Sequence, residues 1–149
     1  MIVMSQPTTD GYKGETRRAL MFLYALFALS ATARSVFQIA TKFDQAPLAY
    51  SLSAIAATFY LVALVALYVN TPASRSLAMT ICTFELVGVL VVGTLTVIDS
   101  SWFADQTVWS YFGVEYGLLP LIMPVAVLWT LSSGRAGQAR QKDAAAQES

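Results

Sequence analysis

The chain contains no histidine and a single cysteine. Without histidine it lacks the commonest haem ligand, the usual proton shuttle near neutral pH and the imidazole of most zinc constellations. Cys82 falls inside a long apolar run, where it can form neither an internal disulfide nor a thiolate metal site, and it reads as a small buried hydrophobe. Charge is scarce too. Asp, Glu, Lys and Arg make up 12% of the residues, against about 25% in an ordinary soluble domain. With 56% hydrophobic residues, that excludes a soluble globular fold. Nine basic residues balance nine acidic ones, so the clustered positive charge of a nucleic-acid binder is missing. No phosphate loop, dinucleotide fingerprint or nucleophile-and-histidine pairing occurs, and we expect no enzyme, no cofactor and no bound metal. The polar ends are too short to bury a core of their own, which leaves room for one membrane domain.

What the sequence does have is long apolar runs. Leu77 to Ile98 carries one charge, Glu85, near its middle. At 1.5 Å per residue the run makes about 33 Å of helix, enough to cross a hydrocarbon core of roughly 30 Å. An ionised carboxylate facing lipid at that depth costs about 2.5 to 3.5 kcal/mol on the insertion scale, so Glu85 must be protonated, partnered or turned into a bundle. Glu85, Gly88, Val92 and Thr96 share one face of this helix, and Gly88 lets a neighbour approach the carboxyl closely.

Three further spans follow from the same reasoning. Residues 1–16 read as a flexible polar tail. Arg17 and Arg18 then precede an uncharged run, Ala19 to Ala33. One reading is a signal peptide with Ala31-Thr32-Ala33 as a small-x-small cleavage site. The other is an uncleaved span over 17–40, which we adopt because Val36, Phe37, Ile39, Ala40 and Phe43 continue the apolar helical spacing. Pro47 ends this helix and opens the next. That second span covers 48–69 and has a stripe of small residues, Ala49, Ser53 and Ala57, suited to close helix packing. Asn70 to Ala73 close it, the third span covers 77–98, and Asp99 to Ser110, with Trp102, Phe103 and Trp109, reads as a short interfacial loop. The fourth span is expected over 111–131. It contains Glu115, a GxxxG pair at Gly113 and Gly117, and two prolines one turn apart, Pro120 and Pro124, that should kink it. Residues 132–149 read as a second flexible tail.

Seven of the nine basic residues fall in the N-terminal segment, the loop at Arg75 and the C-terminal segment. The positive-inside rule therefore puts both termini of this all-α four-helix membrane bundle in the cytoplasm. Depth then decides which intramembrane polar groups can meet. Arg34 lies about 24 Å from the cytoplasmic end of its span and Glu115 about 6 Å from the outer end of its own, so the two should share a layer and form an ion pair. Glu85, about 12 Å in, falls near Tyr60 and Thr58 and without a cation. An unpaired carboxyl there suits a proton or cation carrier, and equally a neutral acid hydrogen-bonded to a tyrosine.

The runs Arg34-Ser35-Val36-Phe37-Gln38, Ala46-Pro47-Leu48-Ala49-Tyr50 and Phe84-Glu85-Leu86-Val87-Gly88-Val89-Leu90 resemble a group of small four-helix integral membrane proteins of actinobacteria. The resemblance implies the fold and a plasma-membrane location, and carries no functional residues. Two functional expectations result. The first is a non-enzymatic accessory or assembly subunit that packs against other membrane proteins, or against itself, through small-residue faces. The second is a small transporter or ion-conducting oligomer that uses Glu85.

Overall fold

The computed structural model describes residues 9–148, and the side chains of 14–148. Four long helices account for most of it: α1 (Thr9–Lys42), α2 (Pro47–Val69), α3 (Pro72–Ile98) and α4 (Leu119–Gln147). All four are long and apolar enough to cross a membrane. The protein is a multi-pass all-α membrane bundle, as its composition requires.

Local chemistry sets the helix ends. Ala46 leaves the helical region, as the residue before a proline tends to, and Pro47 begins α2, where its missing N–H is no loss. Asn70 closes α2 in the left-handed conformation that asparagine tolerates, and its N–H bonds to the Ala66 carbonyl at 3.2 Å. One residue later a capping box starts α3. The Thr71 hydroxyl accepts from the Ser74 N–H at 3.2 Å, and the Ser74 hydroxyl accepts from the Thr71 N–H at 2.7 Å. The turn is therefore tighter than expected, and Arg75 sits in the first turn of α3, with its Nε on the Asn70 side chain at 3.0 Å.

Consecutive helices run antiparallel, so the N-terminal segment, the 70–71 turn and the C-terminal segment share one end of the bundle. We call this the terminal end and the opposite one the loop end. α1 packs along α2, α2 on α3 and α3 on α4, whereas α1 and α4 meet over a short stretch only. Along α1 the buried residues are Leu20, Tyr24, Ala28, Ala31, Ser35 and Gln38. Steps of three and four are the spacing of left-handed helix packing. The faces differ in size more than in polarity. Ala49, Ser53, Ala56, Ala57, Ala63 and Ala66 of α2 are buried, while Phe22, Leu29, Phe37, Leu61, Phe84 and Trp129 are exposed. Without a hydrophobic force between helices in lipid, small residues let backbones approach and large ones face the acyl chains. The Ala49, Ser53 and Ala57 stripe is spent on packing within the chain.

The fourth span departs from expectation. Residues 111–118 are not the start of a helix: Ser110–Tyr116 is a 3-10 segment, and Tyr111, Phe112, Gly113, Gly117 and Leu118 all have positive φ. The helix begins at Leu119. Gly113 and Gly117 are accordingly turn residues and not a helix-packing pair. A Cβ on Gly113 would lie 2.7 Å from the Pro120 ring, and one on Gly117 would meet nothing within 4 Å. Pro120 occupies the first turn of α4, where it introduces no kink, and Pro124 alone lies inside the helix. The tails differ as well. Thr9 to Thr16 belongs to α1, α4 runs on to Gln147, and residues 1–8 lie outside the described residues.

Candidate intramembrane polar site

Glu85 is fully buried in the centre of the bundle. The Tyr24 hydroxyl of α1 donates to its Oε2 at 3.1 Å and lies 3.5 Å from Cys82 Sγ, one turn earlier on the same face of α3. The Tyr60 ring of α2 packs 6.1 Å from Tyr24, and Phe27 packs edge-on against Tyr60 at 5.7 Å. The Tyr60 hydroxyl lies in the field of the Glu85 carboxyl and beside the Trp109 indole, without hydrogen-bond geometry to either. Three buried polar atoms around this point have no hydrogen-bond partner: Glu85 Oε1, Tyr60 Oη and Trp109 Nε1.

Of the residues expected here, Tyr60 is present and Thr58 is not. Thr58 is exposed and bonds back to the Ala54 carbonyl at 2.9 Å. Two residues at 100° each turn it about 200° from Tyr60, so both cannot face the bundle. Tyr24 was missed although a signal existed. It lies seven residues, about 10 Å, beyond Arg17, which is the depth of Glu85.

Trp109 closes the site from the loop end. Its ring rests on Gly88, where a Cβ would come within 2.7 Å, and lies 6.2 Å from Phe59. Gly88 is ten residues, about 15 Å, inside α3 from Ile98. The stretch leading to α4 is therefore no interfacial loop. It folds back into the bundle, with Thr107, Val108, Trp109 and Ser110 each 3% exposed, and Phe112 seated on Gly93. Non-helical backbone at such depth survives only where protein satisfies its polar groups. Here hydroxyls do so. The Thr107 N–H donates to Ser110 Oγ at 2.9 Å, the Trp109 N–H to Thr107 Oγ1 at 3.0 Å, and the Tyr111 N–H to Thr96 Oγ1 at 3.0 Å.

This re-entrant segment also undoes the expected pair between Arg34 and Glu115. The left-handed residues at 111–113 re-aim the chain, so Tyr116 and not Glu115 faces α1. Arg34 Nη1 donates to the Tyr116 hydroxyl at 2.5 Å. Glu115 is exposed and lies beside the Gln106 amide, which donates to the carboxylate once its nitrogen is turned toward it. Asp105, at the same end, accepts from the Tyr50 hydroxyl at 3.0 Å. Between α1 and α2 the Oγ atoms of Ser35 and Ser53 and Oε1 of Gln38 are buried without partners.

Chemically, the central cluster ties α1 to α3 across the bundle diagonal, through a phenol donor and a carboxyl acceptor in low dielectric. Among the described residues no three His, Cys, Asp or Glu side chains gather to hold a metal ion. Comparison with protein-family models, curated proteins and solved structures gave no match.

Proposed function

We propose that this is a small non-enzymatic protein of the plasma membrane, with both termini cytoplasmic, that serves as an accessory or assembly subunit of a larger membrane complex. One observation carries the reading. α4 continues past the bundle as a helix to Gln147, and residues 135–148 are all exposed. A helix polar all round, with Arg135, Arg140, Lys142 and Asp143, has no core of its own to stabilise it and is suited to lie against another protein. The GxxxG motive for this reading is gone, since those glycines serve a turn. The arm replaces it. Photo-crosslinkers placed at exposed arm positions in native membranes should capture a protein, either another species or a second copy, and a chain ending at Ser133 should fold and lose it. Recovery of a bare, uncrosslinked monomer from both chains would end the proposal.

A second reading, transport through Glu85, is favoured by the buried Glu85 Oε1, which has no hydrogen-bond partner. The complete burial of Glu85 counts against an open path. Proteoliposome flux that Glu85→Gln abolishes would support the second reading; flux that it leaves unchanged, or no flux, would remove it.

A further inference from the structure

α1 and α4 leave a seam in the bundle, and near the loop end it opens into a groove of about 250 Å³. Leu26, Phe27, Ser30 and Ala31 of α1 line one wall, Val108 and Tyr116 the other, and Arg34 stands at the top. From Leu26 to Arg34 the groove follows α1 for about 12 Å, from the middle of the bilayer toward its surface. Arg34 is about 25 Å along the helix from Arg17, so its long side chain reaches the headgroup layer of the leaflet at the loop end. The groove is apolar in its deep part and cationic at its shallow end.

That polarity matches a lipid. Arg34 has five N–H donors and gives one to Tyr116. Among the described residues no carboxylate lies within ion-pair distance of it, and the nearby Asp105 accepts from Tyr50. A half-buried guanidinium at the headgroup layer has donors to spare for an anion, and a phosphodiester accepts two parallel N–H donors in the geometry a guanidinium offers. The groove, about 250 Å³, is shallow beside a helix about 10 Å across, whereas a single acyl chain is narrow enough to lie along it.

We propose that this groove is a site for one anionic phospholipid, its phosphate on Arg34 and the Tyr116 hydroxyl and an acyl chain over Phe27, Ala31 and Val108. The site is independent of the C-terminal arm and of any partner there.

The test uses the full chain in nanodiscs of phosphatidylcholine with and without phosphatidylglycerol, read by thermal unfolding and by native mass spectrometry after release into detergent. Wild type should retain one phosphatidylglycerol and unfold at a higher temperature when it is present. Arg34→Gln should lose that preference by about tenfold or more, and Arg34→Lys should keep part of it. Ser30 is exposed on the groove wall, so Ser30→Trp should block the chain without disturbing the core, which keeps the test decisive if Arg34→Gln folds poorly. Equal retention of both lipids by wild type, or an undiminished preference in Arg34→Gln or Ser30→Trp, would overturn the proposal. So would an equal stabilisation of the detergent-solubilised protein by inorganic phosphate, which would assign the contact to a free anion, or a photo-crosslink from position 30 to protein instead of lipid.

Discussion

Tyr24→Phe removes one oxygen from the centre of the bundle and tests how the polar cluster is built. The lost hydroxyl is the donor to Glu85 Oε2 at 3.1 Å. Oε1 is already unpartnered, so the change leaves a fully buried carboxyl with no hydrogen bond. A stranded buried acceptor costs about 1 to 3 kcal/mol. Side-chain hydrogen bonds in membrane proteins average about 0.6 kcal/mol and reach about 1.7, because the unfolded chain in the membrane also finds partners. Together these place the loss at about 1 to 2 kcal/mol, or roughly 2 to 8 °C in unfolding temperature for a chain of this size.

The second arm is Glu85→Leu, which removes the acceptor, and the third is the double variant. If the hydrogen bond is the issue, the double variant should be more stable than Tyr24→Phe alone, because replacing both partners by apolar groups leaves nothing unsatisfied. The coupling should fall at about 0.6 to 1.7 kcal/mol. Glu85→Gln keeps a carbonyl acceptor and should hold the Tyr24 bond. Reversible unfolding in mixed detergent micelles measures all four. A Tyr24→Phe variant within experimental error of wild type, with effects that simply add in the double, would refute the assignment of this pair as the tie between α1 and α3.

Gly88→Ala should destabilise by about 1 to 3 kcal/mol through the clash with the Trp109 ring, and Trp109→Leu in the same chain should recover part of it; equal losses with and without Trp109 would show that the ring is not seated there. Thr58→Val should stay within about 0.5 kcal/mol of wild type, since the residue faces outward, and a larger loss in the same unfolding assay would return Thr58 to the polar site. Glu115→Gln should be near neutral and should not rescue Arg34→Met, whereas rescue in a double-variant melt would reinstate their ion pair. Asp99, outside the helices, is held below the ordinary aspartate range by hydrogen bonds from Ser101. Its small contribution is therefore present at neutral pH and lost as pH falls through the acidic range, and Asp99→Asn should flatten that limb of a stability-versus-pH curve; an unchanged limb would refute this.

Much of the fold could be read from the chain because a bilayer leaves few options. Runs such as Leu77 to Ile98 must be helices, and Pro47, Asn70, Thr71 and Pro72 mark their ends by local chemistry alone. Which face of each helix turns inward was harder. In α2 nearly every position is apolar, so hydropathy has no direction, and Thr58 and Tyr60 look equivalent by depth. Side-chain size gives part of the signal: on α1, Ala28 and Ala31 lie inside while Phe22, Leu29 and Phe37 lie outside. Tyr24 runs against it, a large side chain that is fully buried with its hydroxyl on Glu85. Ser35, Gln38, Ser53 and Glu85 turn inward, whereas Thr58 satisfies its hydroxyl on its own helix and faces out.

Residues 99–118 resisted such reading for a different reason. By composition the aromatic loop belongs at the headgroups, and the apolar stretch after it reads as a helix that contains a GxxxG pair and two prolines. What redirects both is a match between bulky residues in one segment and glycines in another. Trp109 fills the space over Gly88 and Phe112 that over Gly93. Neither glycine is needed for its own backbone, since both lie inside a regular helix. Once the two rings dock, the chain must turn back within a few residues, and the left-handed run at 111–113 with a second at 117–118 accomplishes it. Thr96 then satisfies the Tyr111 N–H that no helix could. The re-entrant segment thus sets the lid on the Glu85 site, the aim of Tyr116 toward Arg34 and the wall of the groove in the seam, and these three features share one cause: two glycines on α3 that leave room for two aromatic rings.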